Sequence, residues 1–452
     1  MGERADSLEP QRLNPQMSHT LTVDPVPVAA VAEDAPLAPD PSWPAWFVAR
    51  REAAWHRYRE LPGPARTDEK WRFSNLKRID VGSYHPGAEA AAAPIPDVPS
   101  IEQPVVRLVF ANGRLVRRDG SPPAGLRVLP LEEALATCPE LVGKHFMAYE
   151  TPLGSEKFAA LHLAHLRSGV FVHAAAGTEV AAPVEVVHCF SGTQALYFPH
   201  TLVVADTGSS VTVLEHVVSG NPDDSVFLVG VNDLVAGPGA RVKYAAFQQL
   251  NTASKAIFVN ATVAGPDADA KSFILNTGGA WVRNESVSHV TGEGANVNLL
   301  SASAPAGGQE VDQRTYQIHK ARHTTSDLLY KNALFGRSRS IFSGLIIVDQ
   351  GAHCTDAYQT CRNLLGSDEA EAHSLPGLEI NADQVKCSHG STTGQIDPDE
   401  LFYLLARGIR EKDARKLITY GFLEEVVERF GSPAVGELAD RLIEEKFQSL
   451  GD

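Results

Sequence analysis

A short phrase recurs in the middle of the chain: GSSVTVLE from Gly208, GARVKYAA from Gly239, DADAKSFI from Asp267 and GANVNLLS from Gly294, at steps of 31, 28 and 27 residues. Each copy is a turn residue, a small residue and then apolar residues at alternate positions, which is the period of a half-buried strand. From about residue 165 to 380, Val-, Ile-, Leu- and Phe-rich runs alternate with Gly, Asp and Asn turns, and no long amphipathic helix interrupts them. Such a repeat predicts strand pairs laid coil upon coil, as in a β-helix or solenoid. Each coil would bury its inward face on its neighbours and satisfy its backbone there, leaving only the two ends as open edges. An ordinary sandwich or barrel also fits the pattern, and spacing alone leaves that alternative open.

The flanking segments follow other rules. Residues 1–42 are rich in Pro, Ala and Asp, with PVPVAAVAEDAPLAPDPS the clearest stretch, and are expected to form a disordered leader because they offer too little apolar surface to offset ordering. Residues 43–164 read as a helical and mixed N-terminal region. There WPAWFVARREAAWHRYREL carries aromatic and aliphatic residues at helical spacing, LPGP ends the pattern, and EKWRFSNLKRID follows. The Ala/Pro-rich stretch 86–100 has the composition of a linker. Residues 165–396 form the expected β-helix core, and from Asp397 to 452 the period becomes helical. PDELFYLLARGIREKDARKLITYGFLEEVVERF and VGELADRLIEEKFQSL place apolar residues at i, i+3, i+4 and i+7, which predicts three short helices broken at Gly408 and Gly421. Asp397 is the expected N-cap, with Glu400 at capping-box spacing. The fold class predicted is mainly β with flanking α.

Several functions are disfavoured. The formal charge is −15, from 55 acidic and 40 basic residues, and no basic run interleaves with aromatics, so nucleic acid is not an expected partner. No apolar run reaches the roughly 18 residues that cross a bilayer, and MGERADSLEPQ lacks the basic-then-apolar order of a secretory signal. No membrane partner and a cytoplasmic location are expected. There is no GxxxxGK[ST] loop, so this chain is expected to bind and hydrolyse no nucleotide itself. GxGxxG at a strand-to-helix turn, HExxH and GxSxG are also missing, although a catalytic triad needs adjacency only in space.

The five cysteines, Cys138, Cys189, Cys354, Cys361 and Cys387, are odd in number and include no CxxC pair, which predicts free thiols rather than a disulfide framework. One stretch stands apart: VKCSHGSTTGQ, residues 385–395, sets Cys387 and His389 two positions apart. On a strand they share one face, with Cα atoms about 7 Å apart. A thiolate and an imidazole suit iron, zinc or iron-sulfur chemistry, yet two ligands do not close a tetrahedral shell. The rest would come from another segment or another subunit. Cys361 in QTCRNLLGS is a candidate from within the chain, and His353 with Cys354 are weaker ones. The plainer reading, a buried cysteine beside a histidine that satisfies a carbonyl, stays open on spacing alone. His319, His323 and Asp327 in HKARHTTSDLLYKNAL are read as hydrogen-bonding residues at a strand boundary rather than as a metal cluster. Phe402, Tyr403, Phe422 and Phe430 exceed what three helices need for their own packing, so they serve either the core or a docking face.

Taken together, RHTTSDLLYKNALFGRSRSIFSGLIIV, QTCRNLLGSDEAEAHSLPGLEI, VKCSHGSTTGQID and LFYLLARGI resemble the C-terminal half of the SufB/SufD family of iron-sulfur cluster assembly proteins. A weaker likeness runs back through FPHTLVVADTGSSVTVLE and SGVFVHAAAGTEVAAPV to EKWRFSNL, so it covers nearly everything after the leader. KCSHG, RNLL and PGLEI favour the SufD branch. The SufB branch resembles EHE where this chain has His389 and Gly390, and Cys361 falls where SufB-like chains have a cluster-related cysteine.

The resemblance implies a right-handed parallel β-helix between helical regions, and a scaffold without enzymatic activity of its own. It implies pairing with a SufB-like paralogue, with a homodimer also open, and docking of the C-terminal helices on a SufC-like ABC ATPase that supplies ATP hydrolysis. On that pattern His389, with Cys387 beside it, holds or guides a transient nascent cluster shared with the partner, and Cys361 is an auxiliary candidate. Phe402, Tyr403, Arg407 and Phe422 are assigned to the ATPase-docking surface. Two other classes remain: a β-helix enzyme acting on carbohydrate, and a purely structural adaptor without cluster contact.

Overall fold

Strands in the central part of the chain pair in parallel not with their sequence neighbours but with the strand two places on. The chain therefore alternates between two sheets, one of eleven strands and one of ten, and winds about eight turns of a parallel β-solenoid. The computed structural model describes residues 36, 38–87 and 95–449, so nearly all of the expected leader and the middle of the expected linker lie outside the described residues. Register is kept without a shift from Lys255–Ala264 through Trp281–Val290, Glu310–His319 and Arg339–Val348 to Glu371–Ile380. That stacking excludes the sandwich and the barrel.

The corners explain the recurring phrase. Gly208, Gly239, Asp267 and Gly294 all have positive φ, between 53° and 76°, where a residue without a Cβ or with a short polar side chain is least strained. The same left-handed corner continues at His323, Cys354 and Gln384, with φ of 55°, 61° and 57°. The repeat thus runs through three further coils in which the turn residue has changed type.

Inside the solenoid, Val, Leu and Ala fill the first coils, and polar side chains take over toward the C-terminal end. One in-register column reads Asn276, Ser303, Asn332, Asn363, Thr393. Its members bond along the stack, with Asn276 Nδ2 donating to Ser303 Oγ at 3.1 Å and Asn332 Nδ2 to Asn363 Oδ1 at 2.9 Å. Parallel sheets are normally covered on both faces, and both outer faces here have a cover.

The cover of the ten-stranded sheet is C-terminal. Helices Pro398–Leu405, Glu411–Phe430 and Pro433–Ser449 follow the last strand, and Asp397 caps the first by accepting from the Asp399 N–H at 2.8 Å. Leu423, Val426, Val427 and Phe430 pack with Phe273, Leu300 and Leu329 of the sheet. Gly408 lies between the first two helices, but Gly421 interrupts nothing. The buried stripe beside it outweighs the penalty of about 1 kcal/mol for glycine in a helix. Lys243 and Lys271 donate to the carbonyls of Gly431 and Arg429 at 2.6 and 2.8 Å, placing two cations at the negative end of that helix. Asp327 pairs with Arg429 at 2.9 Å. Among the described residues no helix is long and apolar enough to cross a membrane.

N-terminal segments cover the eleven-stranded sheet. Helices Ala45–Glu60 and Glu156–His165 pack together, and the EKWRFSNL segment crosses the sheet in short 3-10 turns. This region also contributes strands. Val106–Ala111 and Arg114–Gly120 extend the ten-stranded sheet, and Leu126–Pro130 pairs antiparallel with Val170–Ala174, so sheet structure begins well before residue 165.

A fully buried ion network fastens the crossing segment. Asp312 receives Arg283 Nη1 at 2.6 Å and Arg314 Nε at 2.5 Å, and Arg283 Nε reaches Glu285 at 2.6 Å. The Nη2 atoms of both arginines bond carbonyls of the segment, and Arg283 Nη2 also bonds one that precedes helix Glu156–His165. Arg283 Nη2 bonds Lys70 O at 2.9 Å and Leu153 O at 2.8 Å, and Arg314 Nη2 bonds Arg72 O at 2.7 Å. A segment that is neither helix nor strand needs outside donors for its carbonyls, and a guanidinium carries five. Asp312→Ala should therefore leave two buried cations short of a carboxylate and lower stability by about 3–5 kcal/mol. Urea unfolding of the variant checks this; a loss below about 1 kcal/mol would show that the network does not fasten the segment.

Candidate functional site

Strand Lys386–Gln395 is the last of its sheet, and it lies in parallel register on Asp356–Leu365, with Cys387 opposite Ala357, His389 opposite Gln359 and Ser391 opposite Cys361. Ala357, Gln359 and Cys361 are buried and point into the solenoid. Since register is kept and side chains alternate, Cys387, His389 and Ser391 occupy the same inward positions one coil further on. Among the described residues no strand lies beyond them. His389 is consequently exposed although its position is an interior one, while Cys387 is half-buried against a cluster that includes Ile346, Val348 and Ala357. The other sheet ends the same way, at Glu371–Ile380.

Cys361 stands one strand behind this edge and two positions along from His389, a Cα separation of about 8 Å. It is fully buried. Asn332 Nδ2 and Ser374 Oγ lie 3.8 Å from its sulfur, and Asn363 Oδ1 lies 3.9 Å away. Burial pushes its thiol up to about 12, so it is a protonated interior group at neutral pH. Burial also pushes the Cys387 thiol up, partly countered by a backbone hydrogen bond at Ala357. Ionising either thiol needs a cation or metal brought to it. One sheet therefore carries the three predicted candidates on its inward face, and only two of them reach the edge.

The weaker candidates separate. His319 is buried, with Nδ1 and Nε2 each 2.8 Å from a hydroxyl, of Thr324 and Ser326, which is the boundary role expected for it. His353 Nδ1 accepts from the Asp383 N–H at 3.1 Å, and Cys354 Sγ is 3.7 Å from Gln384 Oε1 at a corner. Among the described residues no group of three or more His, Cys, Asp or Glu side chains is placed to hold a metal ion. A complete shell would require donors from beyond this edge.

On the terminal helices the aromatic residues divide. Phe402 is 70% exposed and Tyr403 56%, with the Arg407 guanidinium 3.3 Å above the Tyr403 ring and Nη1 bonded to Tyr403 O at 3.1 Å. Phe430 is buried, and Phe422 is half-buried at the seam with the sheet, where Lys331 sits 4.7 Å from its ring. The sequence reading missed Leu417, exposed on the next helix, and Tyr358, Leu378 and Ile380, exposed beside the open edge. A signal was present for Leu378 and Ile380, since PGLEI alternates like an interior strand, yet among the described residues no further strand of its sheet follows it. In native protein, iodoacetamide should modify Cys361 at least about 100-fold more slowly than Cys387, because Cys361 reacts only from an opened state. Peptide mass spectrometry checks the order, and equal rates would place Cys361 at the surface.

Comparison with known proteins agrees with this architecture. Residues 188–422 match the family model described as SUF system FeS cluster assembly, SufBD core domain. The chain is 27% identical to the iron-sulfur cluster assembly protein SufD of Bacillus subtilis, across 89% of this chain and 94% of that protein. It is 30% identical to the iron-sulfur cluster assembly protein SufD of Escherichia coli, across 81% and 85%. A core match spanning both the solenoid and its open edge, joined to relatives covered over most of their length, means that this chain belongs to the SufB/SufD family of iron-sulfur cluster assembly proteins, on its SufD side.

Proposed function

We propose that this chain is the non-enzymatic scaffold subunit of a SufBCD-type complex, where it pairs with a SufB-like paralogue and a SufC-like ABC ATPase to build and pass on nascent iron-sulfur clusters. One observation carries the reading: a sulfur and an imidazole stand at interior positions of a coil that no other described residues cover. A sister solenoid stacked on Glu371–Ile380 and Lys386–Gln395 would pair both open strands and bring further donors over Cys387 and His389. The cluster is cargo at that seam. His389 serves as ligand or relay, since a neutral imidazole binds iron without first losing a proton. Cys387 is an auxiliary ligand whose proton leaves as iron arrives. Cys361, buried and protonated, stays behind them.

ATP hydrolysis belongs to the partner. An exposed aromatic pair with an arginine stacked on it fits an apolar groove with an acidic rim. Phe402, Tyr403 and Arg407 therefore form the ATPase-docking surface, with Phe422 contributing its half-exposed ring from the next helix at the seam with the sheet. Movement of the docked ATPase subunits would be passed to the open end through the helices fastened to the ten-stranded sheet.

Two outcomes test the reading. His389→Ala should lower the yield of assembled cluster to roughly a tenth or less of wild type, with the complex intact by gel filtration; iron and sulfide analysis of the complex from its native cell measures it. Normal yield from His389→Ala would remove the ligand role, and normal yield from Cys387→Ala as well would leave a structural adaptor. Separately, Phe402→Asp should weaken ATPase binding by about tenfold or more without unfolding the chain, as read by co-purification and circular dichroism. Retention of the ATPase at wild-type affinity would move its docking site elsewhere.

A further inference from the structure

Phe73 has φ of 67°, a conformation that bulky residues seldom adopt. Both of its neighbours hold it there. On one side Trp71 is buried and Arg72 O is bound by Arg314; on the other the Ser74 hydroxyl bonds Asp312, and the Asn75 N–H bonds Glu310 Oε1 at 3.0 Å. Between these anchors the Phe73 side chain is carried outward and remains 38% exposed. Its ring lies flat on His373, with centroids 4.7 Å apart and planes 12° apart.

His373 belongs to the last strand of the eleven-stranded sheet, in an outward column that reads Asp312, Ile341, His373 in register. Asp312 and Ile341 are covered by the protein itself. Past His373 that column has no further member among the described residues, so the partly exposed Phe73 ring lies on the edge strand itself. A strand added at this edge would place its own outward side chain about 4.8 Å beyond His373, within reach of the ring. Backbone strain held in place by its surroundings is a feature of functional positions.

We infer that Phe73 is a contact residue for the sister solenoid, its ring overhanging the edge of Glu371–Ile380 and packing on the outward face of the partner's abutting strand. The inference rests on the reading that the open end is the interface with the paralogue. It makes the EKWRFSNL segment part of that interface, although more than 300 residues separate it from Cys387 in the sequence.

The test measures the affinity of the full chain for the co-expressed paralogue by biolayer interferometry. Phe73→Gly, which keeps the backbone conformation and removes the ring, should weaken binding by about tenfold or more, while Phe73→Tyr binds within about threefold of wild type. Circular dichroism melts confirm that both variants are folded. Leu378→Asp, with a carboxylate at the inward edge, separates the two ideas. If Leu378→Asp abolishes pairing and Phe73→Gly binds like wild type, this inference fails alone; if neither affects pairing, the interface reading fails with it. Loss of self-association without any change toward the paralogue would also overturn the assignment, by making a second copy the occupant.

Discussion

Parallel strands in unbroken register impose one condition on every coil of this molecule: its backbone groups and its inward side chains are completed by the coil that follows. Asn332 needs Asn363, and Gln359 is buried because another strand lies over it. Where the winding stops, that completion stops too, and no choice of side chain restores it. The first coil is finished by antiparallel strands from the N-terminal region. Among the described residues the last coil is not, and the proposed site, which needs ligands from a second molecule, lies at this end.

Two covers keep the rest of the solenoid from sharing that exposure, and they are fastened differently. The C-terminal helices dock through apolar contact with Phe273, Leu300 and Leu329, and two lysines add charge at a helix terminus. Ion pairs and lysine bonds at the rim, such as Lys331 to Glu425 at 2.6 Å and Asp327 to Arg429 at 2.9 Å, fix the register of that apolar contact. The N-terminal segment is instead held by buried arginines whose Nε and Nη2 atoms, with Nη1 of Arg283, bond carbonyls and carboxylates. Removing one partner from such a network leaves a buried charge, so that segment stays in place as a unit. The two faces thus differ in how they are held: the helical face by an apolar seam with charged bonds at its rim, and the strapped face by a buried ion network that fixes the segment carrying Phe73.

Much of this was legible in the sequence because a corner that needs positive φ selects a small set of residues. Gly208, Gly239, Asp267 and Gly294 announced four coils, and alternation after each gave the strands. His323, Cys354 and Gln384 take the same backbone conformation without that residue signature, and the later coils were reached through the family resemblance instead. Gly421 misled because a helix break was read from local preference alone, whereas packing against the sheet decided the matter. Strands 106–111 and 126–130 were missed for two different reasons. Strand 126–130 pairs with the distant strand 170–174, and its ends carry no repeat, whereas 106–111 turns back on 114–120 at Asn112–Gly113, a local hairpin signal that the reading of the sequence passed over. Cys387 and His389 were placed on one face by counting residues; that the face is an interior one left open required knowing where the coils end. The buried state of Cys361 was likewise outside the reach of spacing, since its neighbours Asn332 and Ser374 lie on other coils.

A half-finished coil also suits a cargo that must leave. On the proposed reading, two donors on an exposed edge, one of them a thiol whose proton burial holds more tightly, would bind iron weakly while the chain is alone. With a sister chain stacked on the edge, the same donors would become part of a closed shell with water excluded, so on that reading affinity would rise with pairing rather than with any change inside this chain. Anything that loosens the stack returns the site to its weak form. On the proposed reading, the ATPase need act only on the contact between two solenoids, through helices already seated on one sheet, to switch a cluster between held and released.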